Sequence, residues 1–239
     1  TDSARLGAFS YAYHRSAPSA EAVRLGEAAG PSSANAAMRA LLLVLLFFLA
    51  GAVLPAPATA PMLATSYRHG VAVPEFLVSE KLDGVRGRWD GQRLWTRGGA
   101  PVTTPPGFTR GWPGEPMEGE LWLGRGRFDE VGAIVRRLDA DPRAWRGVRF
   151  MVFDLPAHPG PFTGRVVRMR RLVAAAGSPT LAMIPQRHFR SATELDAELA
   201  RVVAAGGEGL VLHRGAALYR AGRSDDLLKY KPYQDAEAQ

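Results

Sequence analysis

The sequence predicts an α+β fold of largely antiparallel sheets flanked by helices, and two observations support this class. Segments with the composition of strands outnumber segments with helical spacing. Two strand-like runs, 85–89 and 92–96, flank Asp90-Gly91, a strong signal for a type I′ hairpin. Because a hairpin joins neighbouring strands in opposite directions, antiparallel pairing is expected to dominate.

The predicted elements follow in order from residue 76, with a Gly/Pro-rich loop between the third and fourth strands. Strands are predicted at 76–81, 85–89, 92–96, 117–123, 148–155, 181–189, 208–214 and 227–233. Helices are predicted at 128–138 and 164–177, and a third is expected between a capping box at Ser191 and Glu194 and the pair Gly206-Gly207.

Two of the predicted strands carry signals about their surroundings. The run 148–155 is almost continuously apolar, which predicts burial on both faces. Pro185 interrupts 181–189 and predicts an edge position or a bulge there, because proline cannot donate a ladder hydrogen bond. The arginine-rich helix 164–177 is expected to face solvent, with contact to duplex phosphates as the alternative.

Composition excludes several classes of protein. The 239 residues are 46% hydrophobic and 22% charged, which is typical of a folded globular chain. Cysteine is absent, which excludes a Cys-ligated zinc site, an iron–sulfur cluster, a thiol nucleophile and a disulfide framework. The net charge of +7 favours a polyanionic partner.

Lysine is rare in this basic chain. Of 30 basic residues, only Lys81, Lys229 and Lys231 are lysines. This bias reflects either an arginine-rich coding sequence or a requirement at these positions for an amine. Lysine can lose its proton and act as a nucleophile, whereas guanidinium cannot.

The N-terminal quarter has its own pattern. Residues 1–37 show no sustained periodicity and are interpreted as upstream sequence, disordered or not translated. Met38 opens a segment whose apolar run, 40–54, is short for a membrane span and fits the core of a signal peptide.

A small-residue pattern at Ala58 and Ala60 fits signal peptidase cleavage. We therefore expect a signal peptide at 38–60, export from the cytoplasm and a folded domain at 61–239. A membrane anchor that stays attached is the alternative.

Residues suited to a nucleoside triphosphate and a metal lie at strand ends and turns. Lys81 ends the first predicted strand, and Asp83-Gly84 turns the chain directly after it. Further charged or aromatic residues at such positions are Arg97, Glu118, Glu120, Phe153, Asp154, Glu208, Lys229 and Lys231. Lys229 and Lys231 are expected on one face of the last strand, since alternate residues point the same way.

Six segments of the chain resemble, in order, the motifs of covalent nucleotidyltransferases, which comprise DNA ligases, RNA ligases and mRNA capping enzymes. They are Lys81-Leu82-Asp83-Gly84-Val85-Arg86, Thr96-Arg97-Gly98-Gly99, Glu118-Gly119-Glu120-Leu121, Val152-Phe153-Asp154, Glu208-Gly209-Leu210-Val211 and Leu228-Lys229-Tyr230-Lys231. The sequence between them, over 76–239, looks most like the small ATP-dependent DNA ligases that bacteria export to the periplasm.

The resemblance implies a nucleotidyltransferase (ATP-grasp-like) fold and an adenylation domain. It also implies ATP as AMP donor, Mg²⁺ as metal, nicked double-stranded DNA as partner, and a periplasmic monomer with no stable membrane association after signal cleavage. Ligases of this type continue into an OB-fold domain, which we expect to be missing from this chain.

The resemblance also assigns roles to residues. Lys81 is the expected catalytic nucleophile. The nucleotide is expected to contact Glu80, Lys81, Arg86, Arg97, Glu120, Phe153, Lys229 and Lys231. The metal is expected at Glu120 and Glu208, and the DNA phosphate at Arg86 and Arg97.

Other interpretations of these residues remain open. Phe153 could be a core residue, Glu118 is more readily a solvated strand end, and Asp83 shapes a turn. Asp154 either ligates metal or caps the strand, and His213 is expected to have no catalytic consequence.

Other classes remain open for the whole chain. An RNA ligase, a capping guanylyltransferase or a catalytically degenerate nucleic-acid-binding domain would each share the motifs. An NAD-dependent ligase is disfavoured, since those enzymes carry a four-cysteine zinc finger.

Overall fold

The computed structural model describes residues 60–232 of the chain, and the expectations for 1–37 and for all but the last residue of 38–60 lie outside this part. Within it, ten strands form two five-stranded sheets, and the chain also forms three α-helices. The strands are β1 Met62–Ser66, β2 Phe76–Lys81, β3 Val85–Trp89, β4 Leu94–Thr96, β5 Met117–Trp122, β6 Arg149–Asp154, β7 Leu181–Met183, β8 Arg187–His188, β9 Gly209–Arg214 and β10 Gly222–Tyr230. The helices are α1 Phe128–Arg136, α2 Phe162–Ala176 and α3 Ala192–Ala204.

The first sheet has the strand order β1-β10-β9-β2-β8 and the second the order β4-β3-β5-β6-β7. Pairing is antiparallel except between β1 and β10 and between β6 and β7, which run parallel. The predicted α+β class with largely antiparallel sheets is therefore confirmed.

Two apolar clusters hold the helices against the sheets. In one, α3 packs on the first sheet through Leu195, Leu199 and Val202. In the other, α1 and α2 pack on the second sheet around Phe150, which is fully buried. In the described residues, no helix is long and apolar enough to cross a membrane.

The predicted hairpin is present, but its turn differs. Trp89 pairs with Leu94, so residues 90–93 form a four-residue loop instead of a two-residue type I′ turn. The Asp90 carboxylate accepts hydrogen bonds from the backbone N–H groups of Gln92 and Arg93, which closes the wider loop.

The predicted strand 181–189 was wrong. It is two short strands in different sheets, because β7 pairs with β6 in the second sheet and β8 pairs with β2 in the first. Pro185 lies in the crossing between them, where no ladder hydrogen bond is required of it.

Other elements differ at their limits. Strand β1 was not anticipated, and β10 begins at Gly222, earlier than the predicted 227. The Ser191 cap of α3 is confirmed, since the Ser191 hydroxyl accepts from Glu194 N at 3.2 Å, whereas the Glu194 carboxylate accepts from Arg190 N, one residue before the cap. Helix α2 ends as expected at Gly177, which adopts a φ of 54°.

Candidate active site

A cavity of about 700 Å³ lies between the two sheets. Strands β1, β2, β9 and β10 of the first sheet and β3, β4, β5 and β6 of the second contribute residues to its lining. Of the residues assigned by sequence, it is lined by Glu80, Lys81, Arg86, Arg97, Glu120, Phe153 and Lys229. The two sheets thus bring residues separated by up to 149 positions into one site.

Lys81 ends β2 and is held by an acidic partner. Its Nζ lies 2.6 Å from Glu208 Oε2, and Lys231 Nζ lies 2.6 Å from the other oxygen, Oε1. Burial opposes the charge of Glu208, but the hydrogen bonds from Lys231 and Lys81 outweigh it and hold the pKa of Glu208 below its ordinary value. A single carboxylate therefore joins two of the chain's three lysines.

The turn after Lys81 approaches β5 closely. A Cβ at Gly84 would lie 2.4 Å from Leu121 O and 2.9 Å from Glu120 Cγ, which leaves room for no side chain. The glycine therefore lets the lysine-bearing turn lie against the strand that carries Glu120.

Glu120 is a carboxyl group without an ion pair among the residues described. Burial raises the pKa of Glu120 to about 8, although the charges of Lys81 and Arg86 oppose the shift. The protonated form of such a carboxyl is favoured near neutral pH, and a cation or donor next to it would favour the charged form.

Phe153 faces the cavity. Along β6, Phe150, Val152 and Asp154 are buried, whereas Phe153 is partly exposed and lines the cavity. The expectation that β6 is buried on both faces was therefore wrong, as was the alternative that Phe153 is a core residue. The guanidinium of Arg86 lies 5.1 Å from the centroid of its ring.

Glu118 was expected to be solvated, and this was wrong. It is 3% exposed and accepts a hydrogen bond from Arg86 Nη2 at 2.8 Å. Burial raises the pKa of Glu118, with Arg86 acting against the shift. Glu118 and Met62 O, which accepts from Arg86 Nη1, fix the guanidinium beside Phe153.

Glu80 and Arg97 differ in their surroundings. The Glu80 carboxylate accepts two hydrogen bonds, both 2.7 Å, from Arg125 in the loop between β5 and α1. Arg97 is exposed at the cavity rim, and no hydrogen bond or ion pair engages it within residues 60–232.

A buried ionic cluster next to the cavity was not anticipated from sequence. Arg165 is fully buried and donates to both oxygens of Asp154, at 2.5 and 3.1 Å. His213 lies 3.2 Å from Arg165 Nη2 and stacks on Phe162. The expectation that α2 presents its arginines to solvent is wrong for Arg165, and Asp154 serves this ion pair.

No signal in the sequence marks Arg165 among the arginines of its helix. Only its position three residues after Phe162, on the same helical face, could have indicated burial. Arg125 and Gln186, which also lies on the cavity wall, were missed as well.

The donors present fit a magnesium ion. Magnesium uses one or two carboxylates and completes its shell with water and substrate phosphates. Glu120, with no cationic partner in the described part, would supply one carboxylate, and Glu208 would supply the second once an oxygen of its carboxylate exchanges a lysine for the metal. In the same part, no group of three or more His, Asp or Glu side chains is arranged to hold a metal alone.

Comparison with known proteins identifies relatives of this fold and site. A structure from a study of Lig E DNA ligases, on DNA binding with a minimal scaffold, is 40% identical with a TM-score of 0.68; the match covers 72% of this chain and 68% of that one. The Chlorella virus DNA ligase-adenylate has a TM-score of 0.60 at 20% identity, covering 74% of this chain and 69% of that one. The fold is therefore that of DNA ligase nucleotidyltransferase domains.

A curated DNA ligase from Haemophilus influenzae is 32% identical over 162 residues. The match covers 68% of this chain and 60% of that ligase, so the chain spans less than two thirds of this relative. No protein-family model matches the chain. Together with the Lig E structure, this similarity shows that the chain belongs to the DNA ligase family.

Proposed function

We propose that this chain accepts AMP from ATP on Lys81 and serves as the adenylation domain of a ligase that seals nicks in duplex DNA. The observation that carries the proposal is the position of Lys81. It ends a strand at a cavity that also holds Phe153, Glu120 and Lys229, and it is paired with Glu208.

The first step forms a bond between Lys81 Nζ and the α-phosphorus of ATP. The bond from that phosphorus to the bridging oxygen breaks, pyrophosphate leaves, and the amine loses its proton to give a lysyl-AMP phosphoramidate. An amine attacks only without its proton, so the ion pair of Lys81 with Glu208 must be exchanged as the nucleotide enters.

The remaining groups bind and orient the nucleotide. Phe153 offers an aromatic face to the base, and Arg86 and Lys229 place positive charge where the phosphates carry negative charge. Glu120 and Glu208 would hold Mg²⁺, which neutralises phosphate charge when bound. The AMP then passes to a DNA 5′-phosphate, and the adjacent 3′-hydroxyl displaces it.

The DNA phosphate is expected at the cavity rim. Arg97 is exposed there, and its fork of donors suits the two oxygens of a phosphate. The net charge of +7 supports binding to a polyanion. We propose nicked duplex DNA as substrate, a monomer as the active form, and roles in DNA repair, recombination or replication.

Incubation of the chain with α-³²P-labelled ATP and Mg²⁺ tests the first step. We expect an acid-labile, hydroxylamine-sensitive label that is absent from the Lys81→Arg variant, which keeps the charge but not the nucleophile. A label that persists in this variant would exclude Lys81, and a label from GTP alone would favour a capping guanylyltransferase. Transfer to nicked DNA but not nicked RNA separates a DNA ligase from an RNA ligase.

Export to the periplasm is a further part of the proposal. It is supported by the apolar run at 40–54 followed by Ala58 and Ala60. Residues 38–60 fused to a reporter enzyme that is active only outside the cytoplasm should give activity. Loss of that activity when Leu43→Arg is introduced is the expected control.

A further inference from the structure

Two uncharged hydrogen-bonding side chains lie on the cavity wall, among charged and apolar residues. Ser79 and Gln186 line the cavity with Lys81, Arg86 and Glu120. In the pairing of β2 with β8, Leu77 opposes His188 and Val78 opposes Arg187. The next pair of positions along these antiparallel segments is Ser79 and Gln186.

Within residues 60–232, neither side chain has protein partners for all of its hydrogen-bonding groups. Gln186 Nε2 donates to Ile184 O at 3.4 Å, close to the limit for a hydrogen bond, and Oε1 has no partner in residues 60–232. Ser79 is 8% exposed, and its hydroxyl makes no hydrogen bond to the part of the chain described. Such groups next to a cavity are satisfied by a ligand or by water.

The same wall adjoins the aromatic side chain of the site. Ile184 N donates to Val152 O at 2.9 Å, so the segment that carries Gln186 runs beside the end of β6, where Phe153 lies. A base that stacks on Phe153 therefore has Gln186 near its edge.

We propose that Gln186 reads the edge of the nucleobase and sets the preference of this site for ATP over GTP. The inference rests on the proposed function, since it concerns the nucleotide that Lys81 accepts. A carboxamide matches adenine, because Oε1 accepts from the N6 amino group while Nε2 donates to an adjacent ring nitrogen. The hydrogen bond from Nε2 to Ile184 O orients the carboxamide, so that the carbonyl oxygen that guanine presents in place of the amino group would face the acceptor Oε1.

The test compares nucleotides on one protein preparation. The efficiency of adduct formation at Lys81, kcat/KM, is measured with ATP, GTP and purine riboside triphosphate, which lacks the amino group. We expect Gln186→Leu to reduce the preference for ATP over both other nucleotides by roughly tenfold or more. The matched control is Gln92→Leu, an exposed glutamine of the β3–β4 loop, which should leave the preference unchanged.

The ratio of kcat/KM for ATP to kcat/KM for the other nucleotides distinguishes recognition of the base from a structural role. A merely structural role for Gln186 would lower efficiency with all three nucleotides alike, and that result would overturn the inference. Gln186→Met, which keeps the length of the side chain, provides a second variant with the same expected loss of preference. If the unaltered chain forms no adduct with any nucleotide, the proposed function fails; if it forms adducts but Gln186→Leu keeps the preference, only this inference fails.

Discussion

Glu208 is the carboxylate that pairs with two lysines of the site. It binds Lys81 and Lys231 through separate oxygens, each at 2.6 Å, and thereby balances part of the positive charge at the cavity. Glu120, in the second sheet, has the opposite character, because burial raises its pKa to about 8. One carboxylate is thus charged and engaged, and the other is held ready for an incoming cation or donor.

His213 gives a residue-scale prediction about pH. Burial lowers the pKa of His213 to about 4 from an ordinary value of 6.5, and the charge of Arg165 adds to the shift. Between these values the unfolded chain binds a proton that the folded chain does not, so stability falls as the pH falls from 6.5 to 4. Between pH 7 and pH 5 this group alone should cost about 2 kcal/mol of unfolding free energy.

Urea unfolding of the chain and of His213→Leu, at both pH values, checks this prediction. The variant should lose about 2 kcal/mol less than the unaltered chain on acidification. An equal loss in both proteins would mean that another group carries the dependence. His188→Leu, at an exposed position, controls for the general effect of a histidine-to-leucine substitution on stability.

Among the elements, β2 carries successive side chains on alternate faces, and these side chains have different partners. Ser79, Glu80 and Lys81 all line the cavity, but of these three only Glu80 is engaged by Arg125, through its carboxylate. Arg125 also donates to Ala205 O, just after α3. These contacts join the loop between β5 and α1 to the strand end that carries Lys81, and we expect Arg125 to act as a positioning residue.

A double-mutant cycle tests this tie. Arg125→Met and Glu80→Gln should each slow lysyl-AMP formation about fivefold, equivalent to about 1 kcal/mol, because each releases the end of β2. If the pair acts only as a tie, the double variant is no slower than either single variant, and KM for ATP stays unchanged. Additive losses together with a raised KM would instead assign Glu80 to the nucleotide, as the resemblance implies.

Arg127→Met is the matched control for this cycle. The guanidinium of Arg127 pairs with Glu130 in the first turn of α1 and does not reach the first sheet. Lysyl-AMP formation should proceed at the unaltered rate in this variant.

For the whole molecule, the buried Arg165 joins the two sheets. It binds Asp154 at the end of β6 in the second sheet, His213 in β9 of the first, and Ala217 O between β9 and β10. Both walls of the cavity thus meet at one guanidinium. A buried charge that loses its partner costs stability, so removal of one charged side chain from this cluster is expected to destabilise the fold.

Arg165→Met should therefore lower the unfolding free energy by about 3–5 kcal/mol, because it leaves Asp154 buried without a cation. Arg170→Met, an exposed position of the same helix, should change it by less than about 0.5 kcal/mol. Chemical denaturation of both variants measures the difference. Similar small changes in the two would mean that the Asp154 carboxyl finds another partner or takes up a proton.

Much of the fold could be predicted because its signals are local. The helix cap at Ser191, the stop at Gly177 and the strand ending in Lys81 each depend on residues that are neighbours in the chain. The segment 181–189 could not be predicted as a single piece, because its division between two sheets depends on the partners β6 and β2. Likewise, the width of the hairpin loop depends on how Trp89 pairs with Leu94.

The sequence alone determined the fold class and the family resemblance, and it predicted Lys81 as the reactive lysine, since these depend on residue types and their order. Tertiary structure alone decided which charges meet: Glu208 with two lysines, Glu80 with Arg125, Glu118 with Arg86, and Arg165 with Asp154. These partners lie between 11 and 127 positions apart. The physical reason is that the energy of a charge depends on its burial and nearest counter-charge, and folding sets both.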